Sequence, residues 1–190
     1  GHAYVDDDGL AFLAAKDFDL SRITESGISL NWLREQLEGC SAREKLLLLD
    51  CSRVGAGADQ QRQLSAGRMI ESLKPEKEPA EFKTTWAIAS STADQRGLDW
   101  AEKQHGLFGW FIANAYSGTG DRNQDLHLEP TELFDYLRNE MAQVKVGENS
   151  QLPKLFRPDA TPPEQDRLSP AAKEAIKKLL ASYWEPGPRR

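Results

Sequence analysis

The fold is indicated first by Glu44-Lys45-Leu46-Leu47-Leu48-Leu49-Asp50-Cys51-Ser52-Arg53-Val54-Gly55, in which four consecutive leucines lie between charged residues. This run is too short for a lone helix and is typical of a strand buried on both faces of a mostly parallel sheet. The four residues that follow the leucines carry an acid, a thiol, a hydroxyl and a guanidinium. Because ligands of open α/β sheets bind beyond the carboxyl ends of the strands, these groups stand where such a fold keeps its chemistry. The alternative is a core strand followed by an ordinary polar loop.

Composition excludes several classes of function. The chain has 190 residues, enough for one core, and its 39% hydrophobic and 28% charged residues are ordinary for a globular protein. A net charge of −6 offers no basic surface for nucleic acid. No apolar run approaches membrane-spanning length, so we expect no membrane contact. Cys40 and Cys51 make no disulfide framework and fit a reducing compartment, which predicts an intracellular, cytoplasmic protein.

The two ends of the chain indicate a segment of a longer protein. Its first residue, Gly1, is not a methionine and already belongs to a candidate motif. Its last residues, 186–190, have a composition typical of a linker. We expect one domain over 1–160, followed by a linker and C-terminal helix over 161–190 that lead out of it. Other domains of the parent chain are then expected partners.

Turn and capping signals divide the chain into strands and helices. Asp8-Gly9 predicts a turn with its acids in solvent, after which 10–13 can return as a short strand. Ser29 is placed to cap a helix that Gly39 closes. We expect a second core strand over 84–89, a buried helix over 107–116 and another helix that begins at Pro130.

Two short motifs, taken together, resemble a known family. Gly1-His2 and the Asp50-Cys51-Ser52-Arg53-Val54-Gly55 run are similar to the paired motifs of caspases, and more closely of metacaspases and bacterial caspase-like proteins. In that family Ser-Gly-His-Gly ends one strand, and Asp-(Ala or Ser)-Cys-(His or Arg)-Ser-Gly ends the next central strand. Further similarities follow in the family's order over 90–95, 105–108, 120–133 and 151–153.

The resemblance implies a three-layer α/β fold of the caspase-hemoglobinase type. Its central sheet is mostly parallel, and the family's first strands would be missing before Gly1. It also implies a cysteine endopeptidase of peptide or protein substrates, in which an imidazole, here His2, activates a thiolate and protonates the leaving amine. No cofactor is implied.

The chain departs from the family at the nucleophile. Counted from Asp50, the family's cysteine falls on Ser52, and Cys51 takes the place of a small residue. Because strand side chains alternate, we expect Cys51 to be a small core residue facing away from Ser52. A serine hydroxyl remains protonated at neutral pH and is a poor substitute. A natural replacement and an engineered one would leave the same sequence.

Three functions are therefore open. The favoured one is a weakened or inactive caspase-like domain with Ser52 at the nucleophile position, kept for binding or regulation. The second is an active cysteine peptidase that uses His2 and Cys51. The third is an unrelated, non-catalytic α/β module that binds a ligand at the same strand ends.

Asp50 is the candidate substrate-binding residue. In metacaspases the acid two residues before the cysteine accepts a basic side chain, so the resemblance implies cleavage after Arg or Lys. The alternative is that Asp50 only caps the strand end and accepts hydrogen bonds from loop amides.

A second acidic run invites comparison with a calcium loop. Positions one, three, five and twelve of an EF-hand loop are matched by Asp121, Asn123, Asp125 and Glu132. Leu126 occupies the place of the required glycine, and 117–120 separates the preceding helix. We therefore expect a turn followed by helix capping, with no bound metal.

Overall fold

The computed structural model describes residues 1–51, 65–71 and 84–158, together with Glu174, Ala175 and Lys178. These residues form a mixed α/β structure, as the sequence predicts. The helix predicted within 161–190 and the domain boundary before it lie outside the described residues, apart from those three helical positions.

A small antiparallel sheet begins the chain. Its strands are β1 (Ala3–Val5), β2 (Ala11–Ala14) and β3 (Gly27–Ser29), in the order β1-β2-β3. The carboxylate of Asp6 accepts hydrogen bonds from the backbone N–H of Asp8 (3.0 Å) and of Leu10 (2.8 Å). Gly9 adopts a φ of +79°, which a glycine accepts without strain. The predicted turn and return strand are confirmed.

Two helices flank β3 in sequence. A single helical turn, α1 (Ile23–Ser26), precedes it, and α2 (Leu30–Gly39) follows. The hydroxyl of Ser29 accepts from the backbone N–H of Trp32, so Ser29 is the N-cap, as predicted. Leu30 is fully buried, and Leu33 and Leu37 pack on the same core.

The main sheet contains the leucine run. Its strands are β4 (Lys45–Leu49), β5 (Thr85–Ala89) and β8 (Lys154–Phe156), in the order β4-β5-β8. The pair β4 and β5 is parallel, with Leu49 opposite Ala89, whereas β8 runs antiparallel to β5. In the part of the chain that the structure describes, the sheet is therefore mixed rather than mostly parallel.

Both faces of the main sheet are covered. Leu47 and Leu49 pack on one side with residues of α2 and of α3 (Ala66–Glu71). Leu46 and Leu48 pack on the other side against α4 (Leu107–Asn114) and α5 (Pro130–Ala142). Leu49 is buried and Leu46 to Leu48 are half-buried, so the strand has apolar contacts on both faces, as predicted, although its burial is incomplete.

The connection between β5 and α4 contains two very short strands. They are β6 (Asp99–Trp100) and β7 (His105–Gly106), which pair antiparallel. A wider helical turn, a single π-helical turn over 115–119, follows α4. No helix among the described residues is long and apolar enough to cross a membrane.

Candidate functional site

The first two residues join the small sheet to the carboxyl end of β4. The amino group of Gly1 donates a hydrogen bond of 3.0 Å to the backbone carbonyl of Asp50. One residue later, the carbonyl of His2 accepts from the backbone N–H of Ala14 at 2.9 Å, which extends the pairing of β1 with β2. His2 is thereby held at the end of the leucine strand, although the two motifs are far apart in sequence.

The His2 ring is supported by a row of aromatic side chains. It stacks on Tyr4 with centroids 6.4 Å apart, and Tyr4 stacks on Phe18 at 5.0 Å. Ala3, between His2 and Tyr4, is fully buried, so the two rings share the opposite face of β1. The imidazole is half-buried. It therefore has a defined position and keeps contact with solvent.

Cys51 lies in the core, as the alternation of side chains predicts. It is 1% exposed, and its Sγ is 3.9 Å from Sδ of Met69 on α3. Structural cysteines buried in this way are inert. Its burial counts against Cys51 as a nucleophile. Ser52, the other nucleophile candidate, lies outside the described residues.

Asp50 follows directly on β4 and is half-buried. Its backbone carbonyl is the group that receives the Gly1 hydrogen bond. The proposed role of its carboxylate, as a pocket for a basic side chain or as a strand cap, stays a prediction.

A buried glutamine organises the loop that follows β5. The backbone N–H of Ser90 donates to the Leu49 carbonyl (2.8 Å), so β4 and β5 end side by side. Nε2 of Gln151 donates to the Ser90 carbonyl (2.8 Å), and its Oε1 accepts from the Leu98 N–H (2.7 Å). Gln151 is completely buried. Residues 151–153 resemble the family's closing motif, but no sequence signal indicates that Gln151 is buried or that it forms these two hydrogen bonds.

The same loop is held from its other side by α3. Ser65 Oγ donates to the Ala93 carbonyl at 2.9 Å. A Cβ atom at Gly67 would lie 2.7 Å from the Ser91 carbonyl oxygen and 2.8 Å from the Ala93 nitrogen, so the helix approaches the loop more closely than any other residue type allows. The hydroxyls of Ser90 and Ser91 are buried there, and no described residue forms a hydrogen bond with either of them. The segments 65–71 and 90–95 therefore form one packed unit beside the strand ends.

The acidic run before α5 is a turn and a helix cap. The Asp121 carboxylate accepts from the backbone N–H of Asp125 (3.1 Å) and of Leu126 (2.8 Å). The Glu132 carboxylate accepts a hydrogen bond from the backbone N–H of Glu129 (3.3 Å), which completes a capping box at the start of α5. This confirms the turn-and-cap interpretation. Within the described ranges, no three or more His, Cys, Asp or Glu side chains are grouped to hold a metal ion.

Comparisons with protein-family models, curated proteins and solved structures find no match to this chain.

Proposed function

We propose that this chain is a caspase-like domain whose peptidase chemistry is weakened or lost, and that it binds extended peptide segments at the carboxyl end of the main sheet. The observation that carries the proposal is the 3.0 Å hydrogen bond from Gly1 to the Asp50 carbonyl. It supports a site in which His2 and residue 52 lie on adjacent chain segments at one strand end. The unrelated-module alternative would be favoured by a His2 remote from this end.

The arrangement of the sheet supports the proposal at a second point. Strand β4 is parallel to β5, and the N–H of Ser90 donates to the Leu49 carbonyl. The carboxyl ends of both strands therefore open on the same edge, the place where α/β folds bind ligands. The rigid loop behind this edge, fixed by Gln151, would give a bound peptide a preorganised surface.

The residue at position 52 sets the expected chemistry. An imidazole can draw a proton from a thiol of ordinary acidity and leave a reactive thiolate, whereas an alcohol is far less acidic. A serine needs a strongly oriented base and an oxyanion site to attack a peptide carbonyl. We therefore expect His2 and Ser52 to bind a peptide without cleaving it at an appreciable rate. The burial of Cys51 supports this expectation, because the thiol next to Ser52 in sequence is then unavailable to a bound peptide.

Restoring the family's nucleophile tests the proposal. The intact protein carrying Ser52→Cys should cleave fluorogenic peptides with Arg or Lys before the scissile bond, since Asp50 would pair with the basic side chain. Ser52→Ala is the matched inactive control, and Ser52→Cys combined with His2→Ala should lose the activity. Asp50→Ala should reduce the preference for basic residues while the protein stays folded.

Binding provides the second measurement. An aldehyde-terminated peptide ending in Arg should form a reversible thiohemiacetal with Ser52→Cys, which mass spectrometry of the intact protein detects under native conditions. A folded Ser52→Cys protein that neither cleaves nor binds any of these peptides would overturn the proposal. Cleavage confined to peptides with Asp at that position would overturn the assignment of Asp50 to the pocket.

A further inference from the structure

A second surface with recognition chemistry lies beside β6 and β7. It contains a hollow of about 400 Å³ lined by Asp99, Trp100, Ala101, Gln104, His105 and Gly106. Trp110, in the first turn of α4, stands next to Trp100 with ring centroids 6.4 Å apart and ring planes at 77°. The two half-buried indoles therefore form a right-angled aromatic corner.

This corner already holds a cation. Nζ of Lys103 lies 5.6 Å from the centroid of Trp100 and 5.2 Å from that of Trp110. Both distances are within the range in which the negative face of an aromatic ring attracts a positive charge. Lys103 itself is exposed. The corner is thus electrostatically suited to a cation, and its present occupant is a flexible side chain of the same protein.

One acidic residue lines the hollow: Asp99, which is exposed. Lys103 is on a short exposed turn, so its side chain can swing into solvent, which breaks the two ring contacts. The hollow is larger than one ammonium group, which leaves room for the chain that would carry it.

We propose that the corner formed by Trp100 and Trp110 binds a lysine or arginine side chain of a partner protein, and that Lys103 is an internal competitor for this position. Charge complementarity selects the partner chemistry: the faces of the two indole rings attract cations, and Lys103 shows that the geometry accepts one. The proposal is independent of any peptidase activity at the strand ends.

The test uses the full chain and short peptides. Acetylated, amidated pentapeptides with a central Lys, Arg or uncharged norleucine are titrated to millimolar concentration while the indole N–H signals of Trp100 and Trp110 are followed by NMR. The Lys and Arg peptides should shift both signals, and the norleucine peptide should not. Lys103→Met keeps the length of the side chain but removes the competing charge, so it should tighten binding by about two- to fivefold, the worth of one exposed cation–π contact.

A matched control removes a cation from a different ring. Arg138 lies 5.8 Å from the centroid of Phe134, and Arg138→Met should leave peptide binding unchanged. Trp110→Leu should weaken binding of the Lys peptide in a protein whose other amide signals keep their positions. Equal binding of the norleucine and Lys peptides would overturn the proposal. Unchanged affinity in Lys103→Met would do the same, as would the absence of binding in both proteins.

Discussion

Gln151 gives the sharpest test of what holds the strand ends in place. Its side chain is completely buried and satisfies two backbone groups, the Ser90 carbonyl at 2.8 Å and the Leu98 N–H at 2.7 Å. Gln151→Met is close in shape but removes both hydrogen bonds and leaves both groups unpaired in the core. Each buried unpaired group costs about 1–3 kcal/mol, so the free energy of unfolding should fall by about 2–6 kcal/mol.

The loss is large compared with the stability of a typical domain, about 5–15 kcal/mol. Urea unfolding should show it as a lower midpoint with an unchanged slope, and the melting temperature should fall by about 2–4 °C for each kcal/mol lost in a chain of this size. Gln95→Met is the matched control. The Gln95 Oε1 accepts from the Leu152 N–H at 2.9 Å, but Gln95 is only half-buried, so water can replace it and the loss should stay below about 1 kcal/mol.

The comparison between the two variants can refute the reasoning. If Gln151→Met lowers the free energy of unfolding no more than Gln95→Met does, burial does not determine how much the two Gln151 hydrogen bonds contribute to stability. In that case Gln151 would be a space-filling residue rather than a clamp on the loop that follows β5.

Two further predictions concern a thiol and a carboxylate. Cys51 should react with an alkylating reagent roughly 100-fold or more slowly than the exposed Cys40, which corresponds to a free energy of about 3 kcal/mol for the local opening that exposes Cys51. Peptide mapping after timed quenching measures both reaction rates. Equal rates would contradict the burial of Cys51. Glu38 should make folding depend on acid pH: burial raises the pKa of Glu38, but hydrogen bonds from Thr84 and the charge of Lys45 outweigh burial and hold its pKa below the ordinary value of 4.5. Its contribution to stability is therefore present above pH 4.5 and is lost as the pH falls through the lower folded-state pKa. Glu38→Gln should flatten this part of the stability profile in urea titrations, and an unchanged profile would contradict the prediction.

The sequence predicts the local elements well because short-range rules fix them. Ser29 caps α2 through its own hydroxyl, and the run Leu46 to Leu49 must bury two faces whatever its neighbours are. The direction of β8 has no such local signal. Three residues can pair with β5 in either direction, and the choice depends on where α5 returns the chain.

The candidate site was predictable only in part for the same reason. The placement of His2 near Asp50 follows from a resemblance between motifs, and no rule of spacing brings together residues so distant in sequence. Gln151 is a polar residue in an unremarkable sequence context, and its burial depends on two backbone groups from other segments. Side-chain alternation, by contrast, was enough to predict the buried Cys51, because it acts between adjacent residues.

The close approach at Gly67 also has a mechanical consequence. Helix α3 touches the backbone of 91–93, and the neighbouring Ser90 is hydrogen-bonded to Leu49, the last residue of β4. The same helix carries Met69, which touches Cys51. A displacement of α3 would therefore reach the loop after β5 through backbone contact at Gly67, and the segment after β4 through the Met69–Cys51 contact. We therefore expect α3 and the two parallel strand ends beside His2 to move as one body.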